Sequence, residues 1–227
     1  MQNKCLAYYP LHYGKEHLAE SIKSTEPFVD RIVILYTSTP SYGKTTNLIC
    51  PDTREELYTI AFENSKKIEW IDIEAGNEGQ HRGNIWNYFK GEKYILPLDS
   101  DEVWNRESLE KVLSRTYIKK NIGIRGFIHF WKNKDYICTD HFTPIRLLNP
   151  SGEEGEEITD GTIYHYGYAI SQELMEYKWA IHGHKDELKN GWLEMYKNWK
   201  PGINDVHPVV NELWNPKKSE NNGIKLT

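Results

Sequence analysis

The first 115 residues pass four times from a short apolar run to an amphipathic stretch, and that rhythm limits the fold more than any other feature of the chain. The runs are Cys5 to Tyr9 (closed by Pro10), Arg31 to Tyr36, Ile68 to Ile73 and Tyr94 to Leu98. Short apolar or β-branched runs bounded by turn residues read as strands. Between them, Gly14 to Lys23 places Leu18, Ala19 and Ile22 on one helical face. Asp52 and Glu55 form a capping box before a second helix with Leu57, Ile60 and Ala61 inward. A third helix carries Ile85, Trp86 and Phe89, and Asn105 caps a fourth with Leu109, Val112 and Leu113 inward. Alternating strand and helix is the sequence form of a doubly wound α/β sheet, whose right-handed crossovers put the strand ends on one edge.

The second half changes character. Ile122 to Phe130 and Thr162 to Ile170 read as long alternating strands, with shorter ones at Tyr136 to Cys138 and Pro144 to Leu148. Ser171 caps a helix carrying Leu174, Met175, Lys178 and Trp179. Glu187 to Trp199 reads as a further amphipathic helix with Leu188, Trp192, Met195, Tyr196 and Trp199 on one face. No repeat or linker divides the chain. The expectation is one domain over residues 1–214, with halves 1–115 and 116–214, and a polar tail over 215–227.

The chemistry concentrates where the fourth run ends, at Tyr94-Ile95-Leu96-Pro97-Leu98-Asp99-Ser100-Asp101-Glu102-Val103-Trp104. Parallel sheets bind ligands beyond the carboxyl ends of their strands. Asp99 and Asp101 have no lysine or arginine beside them in the sequence. Two such carboxylates are expected to hold a divalent cation, Mn2+ or Mg2+, which in turn holds a diphosphate.

That segment resembles the D-x-D segment of GT-A-fold, family-two-like glycosyltransferases. His81-Arg82-Gly83-Asn84 resembles the arginine-asparagine segment upstream of it. His165-Tyr166-Gly167-Tyr168, Lys178 and His184 resemble the H-x-G-[YW]…K…H pattern of some bacterial and phage members. The resemblance covers most of the chain. It implies a Rossmann-like three-layer α/β/α sandwich with a mostly parallel central sheet, a nucleotide-sugar-binding half (1–115) and an acceptor half (116–214). It implies transfer of a sugar from a nucleoside-diphosphate sugar, UDP-linked in the commonest form, to an acceptor hydroxyl on a saccharide, a protein or a modified nucleobase in phage DNA. By the same resemblance Asp101 would bind the metal, and Asp99 would contact the donor ribose or share the metal. His184, or His182 two residues before it, would complete the metal shell together with His165, whose mid-strand position equally suits a satisfied core histidine. Pro10, His12 and Thr37 would surround the base, Ser100 would lie against the donor, and Arg82 would face it. One departure is plain: the acidic residue that many members carry after the second strand is replaced here by Thr37-Ser38-Thr39, which leaves the base open.

An inverting transferase needs a base for the acceptor hydroxyl. Asp140 and Asp160, flanking strands of the acceptor half, are the candidates, and a retaining mechanism would need neither. Phe130, Trp131 and Tyr136 serve either acceptor stacking or packing. A haloacid-dehalogenase-type phosphatase also uses D-x-D, but on its first strand and with a threonine where this chain has Val103. A nucleotidyltransferase carries a glycine-rich basic loop after its first strand, and Pro10 to Lys15 has one glycine and one lysine. A non-catalytic sugar- or nucleotide-binding module stays open.

Composition sets the remaining bounds. A net charge of −5 without a basic cluster argues against a dedicated nucleic-acid binder. The run Gly152 to Glu157 reads as a solvated acidic loop. The three scattered cysteines frame no disulfide set, and neither a leader nor a membrane-length apolar segment stands out. The expectation is a soluble cytoplasmic enzyme, with a phage-encoded one acting inside its host among the sources the resemblance implies.

Overall fold

The computed structural model describes residues 4–40, 46–182 and 187–219. Strands β1 (Cys5–Leu11), β2 (Arg31–Tyr36), β3 (Ile68–Asp72) and β4 (Tyr94–Pro97) form a parallel block in the order β4-β1-β2-β3. Both faces are covered. Leu6 and Tyr8 of β1 join Val33, Leu35, Ile95 and Ile85 on one face, while Ala7, Tyr9 and Leu11 meet Leu18, Ile22, Leu57 and Ala61 on the other. Helices α1 (Lys15–Thr25), α2 (Arg54–Asn64) and α4 (Arg106–Ser114) cover the second face. The first is covered by α3 (Glu78–Gly83) and the 3-10 turn Asn84–Asn87.

Pro10 does not end β1, as the sequence suggested. The Tyr8 carbonyl accepts from Leu98 N–H at 2.9 Å, so the nitrogen two residues on faces the same side. There β4 pairs only Cys5 to Tyr8, and a missing N–H at Pro10 leaves no carbonyl unanswered.

The sheet continues antiparallel into the second half. Strand β8 (Ile145–Leu148) lies beside β4, then come β6 (Lys119–Trp131), β7 (Asn133–Thr139) and the two-residue β10 (Lys217–Lys218). Strand β9 (Glu153–Tyr168) runs parallel to β6. The acidic run is therefore the start of a strand and not a loop; Glu153, Glu154 and Glu156 are exposed, the first two pairing with Lys119 and Lys120, and half-buried Glu157 accepts from the Ile118 and Lys119 N–H groups. The short strand β5 (Glu102–Trp104) pairs with β9 in the register Glu102↔His165. That pairing stitches the D-x-D turn to the second half of the chain.

A second core lies under α5 (Gln172–Ala180) and α6 (Trp192–Asn198) and gathers Trp131, Cys138, Met175, Trp192, Tyr196 and Trp214. Phe130 and Trp131 are fully buried, which resolves their role as packing. Helix α6 starts later than the pattern suggested, because Gly191 at φ 73 breaks the turn before it. Among the described residues no helix is long and apolar enough to cross a membrane.

Candidate active site

A cavity of about 250 Å3 opens at the carboxyl ends of β1 and β4. Its wall includes Pro10, His12, Arg82, Asp99, Ser100 and Asp101 from the first half, and His165, Lys178 and His182 from the second. Six of the residues singled out from the sequence for the donor site thus share one wall with His165.

The carboxylates are not bare. Arg82 of α3 donates to Asp99 Oδ1 at 2.7 Å, and Arg146 of β8 donates to Asp99 Oδ2 at 3.0 Å. Arg146 also grips Glu102, with Nε 2.6 Å from Oε2. Lys178 of α5 lies 3.4 Å from Asp101 Oδ2 and donates to the Gly167 carbonyl at 3.1 Å. Burial alone would raise the Asp99 and Asp101 carboxyls; Arg82 and Arg146 at the first, and Lys178 at the second, outweigh it and hold both below the usual range. At Glu102 burial wins over Arg146 and pushes the carboxyl up to about 7. The expectation of two uncompensated carboxylates is thereby corrected: three cations from three distant elements compensate them.

Gly167 is required where it stands. A Cβ there would lie 2.5 Å from His165 Nε2 and 2.8 Å from Lys178 Nζ. Gly14 at φ 120 is equally constrained, since its Cβ would meet Ser100 Oγ at 1.9 Å. Ser100 donates to the Tyr13 carbonyl at 3.0 Å, which fixes the turn between the two aspartates.

His12 is held by the chain around it. Its Nδ1 lies 2.8 Å from the Thr37 carbonyl, which can only accept, so Nδ1 carries the proton and Nε2 accepts from Tyr177 O–H at 2.7 Å. Burial lowers its pKa. Thr37 stands behind His12, 3% exposed, and is not part of the wall.

The two candidate bases lie elsewhere. Asp160 is exposed on β9 and pairs with Arg125 at 3.1 Å. Asp140 follows β7, outside the wall, where it accepts from Trp214 Nε1–H at 2.9 Å and lies 3.3 Å from His129 Nε2. His165 does face the cavity, 3.8 Å from Asp101, and burial pushes its imidazole down to about 3. His184 lies outside the described residues.

Among the described residues no group of three or more His, Cys, Asp or Glu is placed to hold a metal ion. Both Asp99 oxygens accept from arginines, so contact with the donor ribose or a share in the metal, the two roles expected of it, would fall to their remaining lone pairs. Asp101 Oδ1 has no hydrogen-bond partner among the described residues, and the carboxylate's donor chemistry fits Mn2+ or Mg2+ accompanied by phosphate oxygens. The sequence reading missed Arg146, Glu102 as its partner, His129 and Tyr177. Arg146 had a signal: it is the one charge inside the apolar run Ile145 to Leu148.

No protein-family profile matches the chain. Over 133 residues it is 27% identical to a probable nicotinate-nucleotide adenylyltransferase from Fusobacterium nucleatum, a match spanning 57% of this chain and 66% of that protein. Solved structures similar to it include nucleotidyltransferases and glycosyltransferases. The inositol-1-phosphate CTP transferase from T. maritima aligns with a TM-score of 0.47 at 7% identity, covering 89% of this chain and 98% of that one. Glucosyl-3-phosphoglycerate synthase from Mycobacterium tuberculosis, solved with Mn2+, UDP and phosphoglyceric acid, aligns with a TM-score of 0.40 at 10% identity, covering 55% of this chain and 43% of that one.

Proposed function

We propose that the chain is a glycosyltransferase that moves a sugar from a nucleoside-diphosphate sugar, UDP-linked in the commonest form that the resemblance implies, to an acceptor hydroxyl. The observation that carries this reading is the shared wall. One cavity takes Arg82, Asp99 and Asp101 from the strand-end side and His165 and Lys178 from the other half, so donor and acceptor chemistry meet in one place.

Breaking the bond between the anomeric carbon and the β-phosphate builds negative charge on the departing diphosphate. Arg82 and Lys178 line that cavity, and buried cations beside a departing diphosphate would stabilise its charge more than water does. Arg82, Arg146 and Lys178 are already answered by Asp99, Glu102 and Asp101, so an entering diphosphate adds charge that the protein leaves unmatched. Mn2+ or Mg2+, when bound by Asp101 and the phosphates, would supply the missing charge as a Lewis acid. His12, Pro10 and Ser100 shape the donor side. The acceptor approaches from the β6 and β9 side, and a glycan, a protein hydroxyl or a hydroxylated nucleobase in phage DNA each fits that chemistry.

A second reading, nucleotidyl transfer from a nucleoside triphosphate, takes its support from the match to the Fusobacterium protein. Products separate the two. The transferase reading expects a nucleoside diphosphate released from a nucleotide sugar in a screen with Mn2+; pyrophosphate released from a triphosphate would favour the other. Asp101→Ala should lower turnover by about 10³-fold or more while the fold persists, because several kcal/mol of charge stabilisation depend on that carboxylate. Near-normal turnover in that variant would end the reading.

A further inference from the structure

Behind the cavity wall a line of four side chains runs from Asp101 to Asp140. Asp101 Oδ2 lies 3.8 Å from His165 Nε2, His165 Nδ1 lies 2.8 Å from His129 Nδ1, and His129 Nε2 lies 3.3 Å from Asp140 Oδ2. The two histidines stand opposite each other on β6 and β9, in the register His129↔His165. Asp140 is fixed by Trp214 Nε1–H, which donates at 2.9 Å to the same Oδ2 that faces His129, and by the Phe142 N–H, which donates to Oδ1 at 2.8 Å. The Trp214 ring covers His129, with centroids 4.2 Å apart, and Phe127 packs on both imidazoles.

We propose that Asp140 and His129 are positioning residues that hold His165 in the tautomer with its proton on Nδ1, so that the Nε2 lone pair faces the cavity as the acceptor for a hydroxyl of the acceptor substrate. The hydroxyl rests on the transferase reading, and the tautomer does not.

The hydrogen bond between the two Nδ1 atoms needs one proton, and the outer nitrogens decide which ring gives it. His129 Nε2 is buried and lacks an aligned hydrogen-bond partner among the described residues, and the Asp140 carboxylate is the acceptor within reach. A proton placed there is stabilised by that carboxylate. His165 Nε2 faces the opposite situation. Lys178 Nζ crowds the same space over Gly167, and Asp101, the more distant carboxylate, is already matched by Lys178. A proton on His165 Nε2 would meet a neighbouring cation. With each ring carrying one proton, His129 therefore keeps its own on Nε2 and offers its Nδ1 lone pair, and His165 donates from Nδ1. This is the arrangement by which a carboxylate behind a histidine fixes which nitrogen faces a reactant. Asp140 thus enters the site, but through two imidazoles and not as the base expected from the sequence.

Long-range proton–nitrogen NMR on 15N-histidine-labelled protein reads the tautomer directly, with the His165 signals assigned by their loss in His165→Gln. The wild type should show His165 protonated on Nδ1. Asp140→Asn should move it toward the Nε2-protonated form, and His129→Phe, which removes the acceptor while keeping the ring volume, should do the same if the first variant folds poorly. A wild-type His165 protonated on Nε2, or a spectrum unchanged in both variants, overturns the proposal. The acceptor-side placement has its own check: the melting shift produced by UDP with Mn2+ should be equal in wild type and Asp140→Asn, and its loss in the variant would overturn that placement. A wild type that shows no UDP shift but keeps the Nδ1 tautomer would sink the transferase reading and leave the tautomer standing.

Discussion

Arg146 reaches across 47 residues to hold both Asp99 and Glu102, and it does at the residue scale what the sequence assigned to a metal. Removing it leaves the buried Glu102 carboxylate unpaired and Asp99 held by Arg82 alone. Arg146→Met should therefore destabilise the fold by about 3–5 kcal/mol, measured by urea unfolding at neutral pH. The cost should shrink on acidification, because Glu102, pushed up to about 7 by burial, then takes up a proton. His165 works with the opposite sign. Its imidazole is held near 3 in the folded state against 6.5 in a free side chain, so the unfolded chain binds the extra proton between those values. Its contribution to stability is complete above pH 6.5 and is lost as pH falls toward about 3, by up to about 1.4 kcal/mol per pH unit. His12 and His81, also lowered by burial, add to the same slope. His165→Gln should flatten that acid limb in thermal melts; an unchanged limb would mean that the imidazole is not buried as described.

At the scale of elements, the capping box before α2 is displaced by one residue from where the sequence put it. Thr53 accepts from the Glu56 N–H at 3.2 Å, and Glu56 reaches back to the Thr53 N–H at 2.8 Å. Asp52 is used otherwise: its carboxylate accepts from Gly14 N–H at 2.6 Å and Lys15 N–H at 2.9 Å, at the entry to α1 and next to the cavity. Both patterns match a box equally well in one dimension, and only the proximity of α1 decides between them. Asp52→Ala strands two buried donors and should cost about 2 kcal/mol or more, whereas Thr53→Ala loses one exposed cap worth about 1 kcal/mol. Equal effects in chemical denaturation would contradict this division. The four parallel strands were legible because their apolar runs are local. The start of β9 was not, because Glu153 to Glu157 carry no strand signal of their own and are held as a strand by pairing with β6.

Across the whole molecule, one continuous sheet carries the strand-end turn of the first half up to the long strands of the second. The β5–β9 pairing sets Glu102 opposite His165, and this places the D-x-D turn against the long strands of the second half. That Asp99 and Asp101 would line one cavity was legible from their place at a strand end, and Arg82 beside them from the family resemblance. Arg146, Lys178 as the partner of Asp101, and the His129–Asp140 pair were not, since each contact joins elements far apart in the chain. Their sum is a cavity whose Arg82, Arg146 and Lys178 are each paired with a carboxylate before any ligand enters, and under the proposed function diphosphate binding would then depend on an added cation. The most direct test is the melting temperature of the protein with UDP, with Mn2+, and with both. The account predicts a clear upward shift only when both are present, through preferential binding to the folded state, and its loss in Asp101→Asn. An equal shift with UDP in the presence of a chelator, or none under any condition, would contradict it.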